Sequence, residues 1–382
     1  SDVADLEDVI HTCALRRSHR GHRLVAVASS PDSIREELDG YLAGEPSSAI
    51  QTGVAAGDPG AKLVMVFPGQ GSQWVGMGRG LLEREPTFAA SIDRIDRAYS
   101  EHVDWSLRGV LEGKIDFDWR ERLDVLQPVL VAVEIALAEL WASFGVRPAR
   151  VVGQSMGEIA AAFVAGILDE GDMARLACHR GKIVARASGN GAMAVVSLSR
   201  TEVERRLSAF GETVEVAGIN SPSTTIVSGD RREVSTFVES LESEGVFARL
   251  LAVDFASHCF HMDPLLEDFR AGIADIQTHP AEIPFESTVD GESDAQPDLG
   301  PDYWVRNLRS AVAFEAGLGR AIEAGGEIFL EVSPHPTLPR AIDEIASSVG
   351  ASSSYVSSLA RDEDEALSIA RNLAGLHIRG LE

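Results

Sequence analysis

The sequence predicts an α/β protein, and three observations point to it. Short apolar runs of strand type alternate with helical stretches, a Gly-Gln-Ser-Met-Gly pentapeptide stands between one such strand and helix, and a β-α-β-β-α-β succession interrupts the chain midway. The expected architecture is a large α/β domain over residues 61–191 and 254–361, with a ferredoxin-like subdomain inserted over 192–253. A small αβ unit over 1–60 precedes them, and residues 362–382 follow as an acidic helical tail that packs back on the domain.

The first unit is read from a helix around residues 6–17, a strand in HRLVAVAS and a helix over 31–42 that Ser30 caps. Residues 43–60, rich in Gly, Ala, Ser and Pro, read as a linker. KLVMVF is then a short buried strand that runs straight into the loop PGQGSQ, whose glycines permit a tight backbone path. The apolar helix DVLQPVLVAVEIALAELWASFG leads to the strand ARVVG, the turn GQSMG and the helix EIAAAFVAGIL. Strand AMAVVSLS, helix TEVERRLSAF, strands VEVAGI and TTIVSG, helix RREVSTFVESLESEG and strand FARLLAV supply the ferredoxin-like order. After Asp254 the pattern returns to mixed helix and strand, including EIFLEVSPHP.

With 382 residues and 45% apolar content, the chain has room for one large domain and one or two smaller ones. A formal charge of -25 argues against nucleic acid and anionic membranes as partners, since both reward basic patches. No stretch reaches the roughly 18–20 continuous apolar residues of a membrane helix, and SDVADLEDVI lacks the basic and apolar regions of a signal peptide. A cytoplasmic protein is expected. Cys13, Cys178 and Cys259 show neither zinc-ligand spacing nor an even disulfide framework, so free thiols and no metal are expected.

The sharpest chemical signal is Ser155 in Gly153-Gln154-Ser155-Met156-Gly157. Between strand and helix this pattern forms a nucleophile elbow, and the free N–H groups at the start of the following helix suit a developing oxyanion. A serine hydroxyl needs a general base within hydrogen-bonding reach. Of ten histidines, His258 stands where the chain re-enters the large domain, a natural cleft position; His261 and His335 are rivals on position alone.

Five segments in order resemble the acyltransferases of fatty acid and polyketide synthases, above all those of type I modular polyketide synthases, within the malonyl-CoA:ACP transacylase superfamily. They are Phe67-Pro68-Gly69-Gln70-Gly71-Ser72-Gln73-Trp74, the elbow at Ser155, Phe255-Ala256-Ser257-His258, Tyr303-Trp304-Val305-Arg306-Asn307-Leu308-Arg309 and Glu331-Val332-Ser333-Pro334-His335-Pro336. The resemblance covers nearly the whole chain. It implies an α/β hydrolase-like large domain, with residues 1–60 as a ketosynthase-to-acyltransferase linker and 362–382 as a post-acyltransferase linker.

The reaction implied is ping-pong transfer of an acyl unit from coenzyme A to the phosphopantetheine thiol of an acyl carrier protein, with the ketosynthase of the same polypeptide as a further partner. No cofactor is implied. Ser155 would be the nucleophile and His258 its base, with the N–H groups of Gln70 and Met156 as the oxyanion hole. A backbone carbonyl from residues 307–310, with Asn307 as the named candidate, would orient His258. Arg180, 25 residues past Ser155, matches the arginine that holds the free carboxylate of malonyl-type substrates, a task that suits a planar guanidinium.

Gln154 replaces the family's usual histidine, and Phe255 replaces the tyrosine of a Tyr-Ala-Ser-His motif. That motif, with the run from Arg122 through Asp124 to Gln127, resembles methylmalonyl-selective relatives, and Ser257 is smaller than the phenylalanine of malonyl-selective ones. Methylmalonyl is the extender expected first, with ethylmalonyl, longer branches or malonyl as alternatives. A Ser–His dyad on this elbow would also serve a thioesterase or editing hydrolase, and a catalytically silent docking module is a third reading.

Overall fold

A computed structural model describes residues 3–47, 49–55, 62–289 and 298–381. Its centre is a five-stranded, wholly parallel sheet of β3 (Leu63–Phe67), β4 (Arg150–Gly153), β9 (Phe285–Glu286), β10 (Ile328–Glu331) and β11 (Ser354–Ser357), in the order β11-β10-β3-β4-β9. Every residue of β3 is buried, as LVMVF requires of a strand covered on both faces. The helix Leu123–Ser143 packs against helix Glu170–Ala185, where Gly181 lets it approach so closely that a Cβ would lie 3.0 Å from the Leu123 carbonyl oxygen. Among the described residues it alone has the length and apolarity to cross a membrane, yet 89% of its most apolar stretch lies inside the protein.

The inserted unit has the predicted order. β5 (Gly191–Val196), β6 (Val214–Ser221), β7 (Thr224–Asp230) and β8 (Ala248–Leu250) form an antiparallel sheet in the order β6-β7-β5-β8, with helices Arg200–Leu207 and Arg231–Ser243 in the crossovers. That is the split βαβ arrangement of a ferredoxin-like fold. It has its own apolar cluster, including Val203, Val227, Val234 and Phe237. Its edge is tied to the large sheet's side by the pairing of Ile219 with Val312.

The N-terminal helices run over Val3–Leu15 and Pro31–Leu42, and Ser30 caps the second one in a capping box with Ser33. One expectation is corrected here. The linker-like stretch 43–60 contains β2 (Ile50–Val54), paired antiparallel with β1 (His22–Ala26); residues 56–60 lie outside the described residues. The tail forms the helix Glu365–Ile378, which lies on β1 and β2. Arg23 donates to the His377 carbonyl at 2.8 Å and Gln51 to the Arg371 carbonyl at 2.7 Å.

Candidate active site

Phe67 pairs with Gly153 in neighbouring parallel strands, so the PGQGSQ loop and the elbow leave the sheet side by side at the carboxyl ends of β3 and β4. In parallel sheets that edge is where sites form. Ser155 takes φ 55, a left-handed conformation uncommon for a residue with a side chain. The turn closes only because its glycines lack side chains: a Cβ on Gly157 would lie 2.2 Å from the Phe67 carbonyl oxygen, and one on Gly153 would lie 2.3 Å from Glu158 Cα. Helix Gly157–Val164 starts directly behind the serine.

His258 is brought to the elbow from the far end of the inserted subdomain. Its Nε2 lies 2.7 Å from Ser155 Oγ, and its Nδ1 lies 2.9 Å from the Ser310 carbonyl oxygen. A carbonyl can only accept, so Nδ1 carries the proton and Nε2 is free to accept from the serine. Burial, and next the charge of Arg180, push the His258 pKa down to about 3, while the carbonyls of Ser310 and Asn307 pull the other way. The imidazole is therefore neutral at neutral pH. The rival histidines are engaged elsewhere: His261 Nε2 meets Asp230 at 2.8 Å, and His335 Nδ1 accepts from the Arg361 N–H at 3.1 Å.

Arg180, 2% exposed, donates through Nη2 to Ser155 Oγ at 3.1 Å and through Nη1 to Gln127 Oε1 at 2.6 Å. Its Nε is buried with no partner among the described residues. Gln127 thus holds one end of the guanidinium, and Nη2 is turned to the serine. Burial lowers its pKa to about 10, which leaves it a cation at neutral pH. Glu158 lies beneath, fully buried, accepting from the Thr288 N–H and hydroxyl, Tyr303 and Asn307, and burial raises its pKa.

Ser155, His258, Arg180 and Gln127 line a cavity of about 370 Å³ between the large and small sheets, shared with Gln70, Met156, Gln154, Phe255 and Ser257. Neither the Gln70 nor the Met156 N–H donates to another protein group among the described residues. Phe255 and Ser257 are buried, with Ser257 Oγ 3.4 Å from Met193 Sδ.

Two expectations need correction. Asn307 is not the main orienter of His258: its side chain donates to the Ser155 carbonyl at 3.1 Å and to Glu158 at 2.8 Å, and the carbonyl at hydrogen-bond distance from the imidazole is that of Ser310. Helix Pro301–Arg309 ends at this point, which turns the Ser310 carbonyl out of the helix. Arg122 and Asp124 do not reach the cavity; they pair with each other at the start of helix Leu123–Ser143, at 3.2 and 2.6 Å. Gln127, one turn further in, is the residue of that run that meets the site. Its signal in the sequence was a lone amide inside an apolar helix.

A family model described as "Acyl transferase domain" matches residues 64–382. The chain is 39% identical over 376 residues to Polyketide synthase GfsB of Streptomyces halstedii, covering 98% of this chain and 7% of that protein. It is 39% identical over 382 residues to Erythronolide synthase EryA2 of Saccharopolyspora erythraea, covering 99% of this chain and 11% of that one. The acyltransferase domain from module 8 of the salinomycin polyketide synthase superposes with a TM-score of 0.93 at 36% identity, over 100% of this chain and 89% of that one. The protein therefore belongs to the acyl transferase domain family, in the form carried by modular polyketide synthases.

Proposed function

We propose that the chain moves an α-carboxylated acyl unit, methylmalonyl before others, from coenzyme A to the phosphopantetheine thiol of an acyl carrier protein through an acyl-Ser155 intermediate. One observation carries this reading. Ser155 Oγ is shared by a neutral imidazole at 2.7 Å and a buried guanidinium at 3.1 Å, which supports reading them as nucleophile, base and carboxylate anchor.

The carboxylate of the substrate pairs with the Arg180 guanidinium, which fixes the thioester carbon over Ser155. Ser155 Oγ attacks that carbon as its proton passes to His258 Nε2. The oxyanion is held by the N–H groups of Gln70 and Met156. Collapse breaks the C–S bond, and the coenzyme A thiolate takes the proton back from Nε2. In the second half the phosphopantetheine thiol gives its proton to Nε2 and attacks the acyl-serine carbonyl, and Ser155 leaves with that proton. The Ser310 carbonyl stabilises the imidazolium formed in each half. A hydrolase would need no buried cation beside its nucleophile. The same reading makes residues 1–60 and 362–382 linkers to neighbouring domains, the ketosynthase among them, in a cytoplasmic synthase.

The extender choice rests on Ser257 and Phe255, which leave space beside the acyl-serine for an α-branch. One methyl in an apolar pocket discriminates about 10- to 200-fold, so no larger preference for methylmalonyl over malonyl is expected. Competition with mixed thioesters measures it. Ser257→Phe should shift the preference toward malonyl, and a wild-type preference for malonyl-coenzyme A contradicts the assignment.

A further inference from the structure

We propose that Gln154 is a positioning residue that locks the oxyanion-loop donor, and that Asn220 of the small sheet holds Gln154 in place. The proposal rests on the reaction given above and names how this chain orients the Gln70 N–H.

That donor is held by a loop with little steric restraint, because Gly69 and Gly71 flank it and the latter takes φ 142. Peptide planes between glycines rotate easily, whereas an oxyanion hole works only when its donors are fixed before the reaction. Two side-chain carbonyls supply the restraint. Gln154 Oε1 accepts from the Gly69 N–H at 3.2 Å, and Gln73 Oε1 accepts from the Gly71 N–H at 2.9 Å, one on each side of Gln70.

Gln154 is suited to its half of this clamp by the residue's place on the elbow. Its own N–H donates to the Phe67 carbonyl at 2.8 Å, and a Cβ on Gly69 would sit 3.3 Å from the Gln154 carbonyl oxygen. Loop and elbow are thus in direct contact. Since the Gly69 N–H can only donate, it sets the amide's orientation and turns Nε2 the other way. There Nε2 donates to Asn220 Oδ1 at 3.0 Å, and Asn220 belongs to β6 of the inserted subdomain. The small sheet therefore bears on the oxyanion donor through one amide, Asn220 to Gln154 to Gly69, and Asn220 itself lines the cavity.

Single-turnover acylation by methylmalonyl-coenzyme A, followed by intact mass, tests this in wild type, Gln154→Met, Gln154→His, Asn220→Leu and the double variant Gln154→Met/Asn220→Leu. Gln154→Met should slow the acylation rate constant by roughly 10- to 100-fold, part of the about 10²- to 10³-fold lost when an oxyanion donor is removed outright. Its half-saturating substrate concentration should stay within about two-fold of wild type, because the clamp acts on the transition state alone. Gln154→His, which keeps an acceptor for the Gly69 N–H, should recover most of the rate. Asn220→Leu should show a smaller defect of the same kind, and the double variant should be no slower than Gln154→Met. A wild-type rate in folded Gln154→Met, a loss confined to half-saturation, or fully additive defects would overturn the proposal. Should Gln154→Met fail to fold, a wild-type rate in Asn220→Leu would overturn it equally. Failure of the wild-type protein to acquire any acyl mass would instead remove the underlying reaction.

Discussion

At the scale of single residues, the site is built by two left-handed side-chain-bearing positions, Ser155 at φ 55 and His258 at φ 58, which aim the hydroxyl and the imidazole at each other. Such conformations cost about 1–3 kcal/mol each and persist where the surroundings dictate them. The neutral state of His258 has a measurable consequence. Its pKa is depressed to about 3, first by burial and then by Arg180, so its base form persists well into the acid range. The acylation rate constant should therefore stay level from about pH 8 to pH 5, whereas a histidine at its ordinary pKa of about 6.5 would lose most of its base form over that span. A limb centred near about pH 6.5 in single-turnover rates contradicts this. Stability follows the same sign: the unfolded chain takes a proton at this histidine below about 6.5 and the folded chain resists it, so the contribution is present above that pH and lost as pH falls toward the folded value. Ser155 was legible from its motif between strand and helix, whereas His258 and Arg180 were singled out only by the family resemblance. Gln127, Asn220 and Glu158 were not, because a polar residue inside an apolar run looks the same whether it meets a site or a buried partner.

At the scale of elements, the strands and helices of the inserted unit were legible from their alternating strand-type and helical runs. β2 was not, because IQTGV lies in a Gly, Ser and Pro-rich stretch and only two of its residues are clearly apolar. Its pairing with β1 is a tertiary fact. The helix Leu123–Ser143 carries a different kind of anomaly. Glu134 is fully buried within it, neither carboxyl oxygen has a partner among the described residues, and burial together with Glu331 raises its pKa well above the usual carboxyl range. Burial favours the protonated carboxyl in the folded protein while the unfolded chain ionises it, so its effect is to lower stability as pH rises above about 4.3. Glu134→Met, of similar length, should raise the stability measured by urea unfolding at neutral pH by about 1–3 kcal/mol, the cost of an unsatisfied buried polar group. The gain should shrink toward acid pH. An equal or lower urea midpoint for the variant would mean that the carboxyl has a partner in solution.

At the scale of the whole molecule, a charge of -25 would face the proposed substrates, which are themselves anionic. Net repulsion slows encounter and salt screens it, so kcat/KM for the acyl-coenzyme A should rise as ionic strength goes from about 0.05 to 0.3 M, where the Debye length shortens to well under 10 Å. A fall over that range would show that a local basic surface at the cavity mouth outweighs the overall field. The three sheets meet their tasks by position: the parallel sheet presents the elbow and the loop, the antiparallel sheet covers the cavity and supplies Asn220, and the tail helix fastens the N-terminal strands to the body. All of this converges on one claim, that Ser155 is acylated by a carboxylated thioester held by Arg180. The most direct test is to incubate the protein with methylmalonyl-, malonyl- and acetyl-coenzyme A and weigh the intact chain. The wild-type protein should gain the carboxylated acyl mass, Arg180→Ala should lose that gain while still loading acetyl, and Ser155→Ala should gain nothing; a stable acyl mass on Ser155→Ala would contradict the claim.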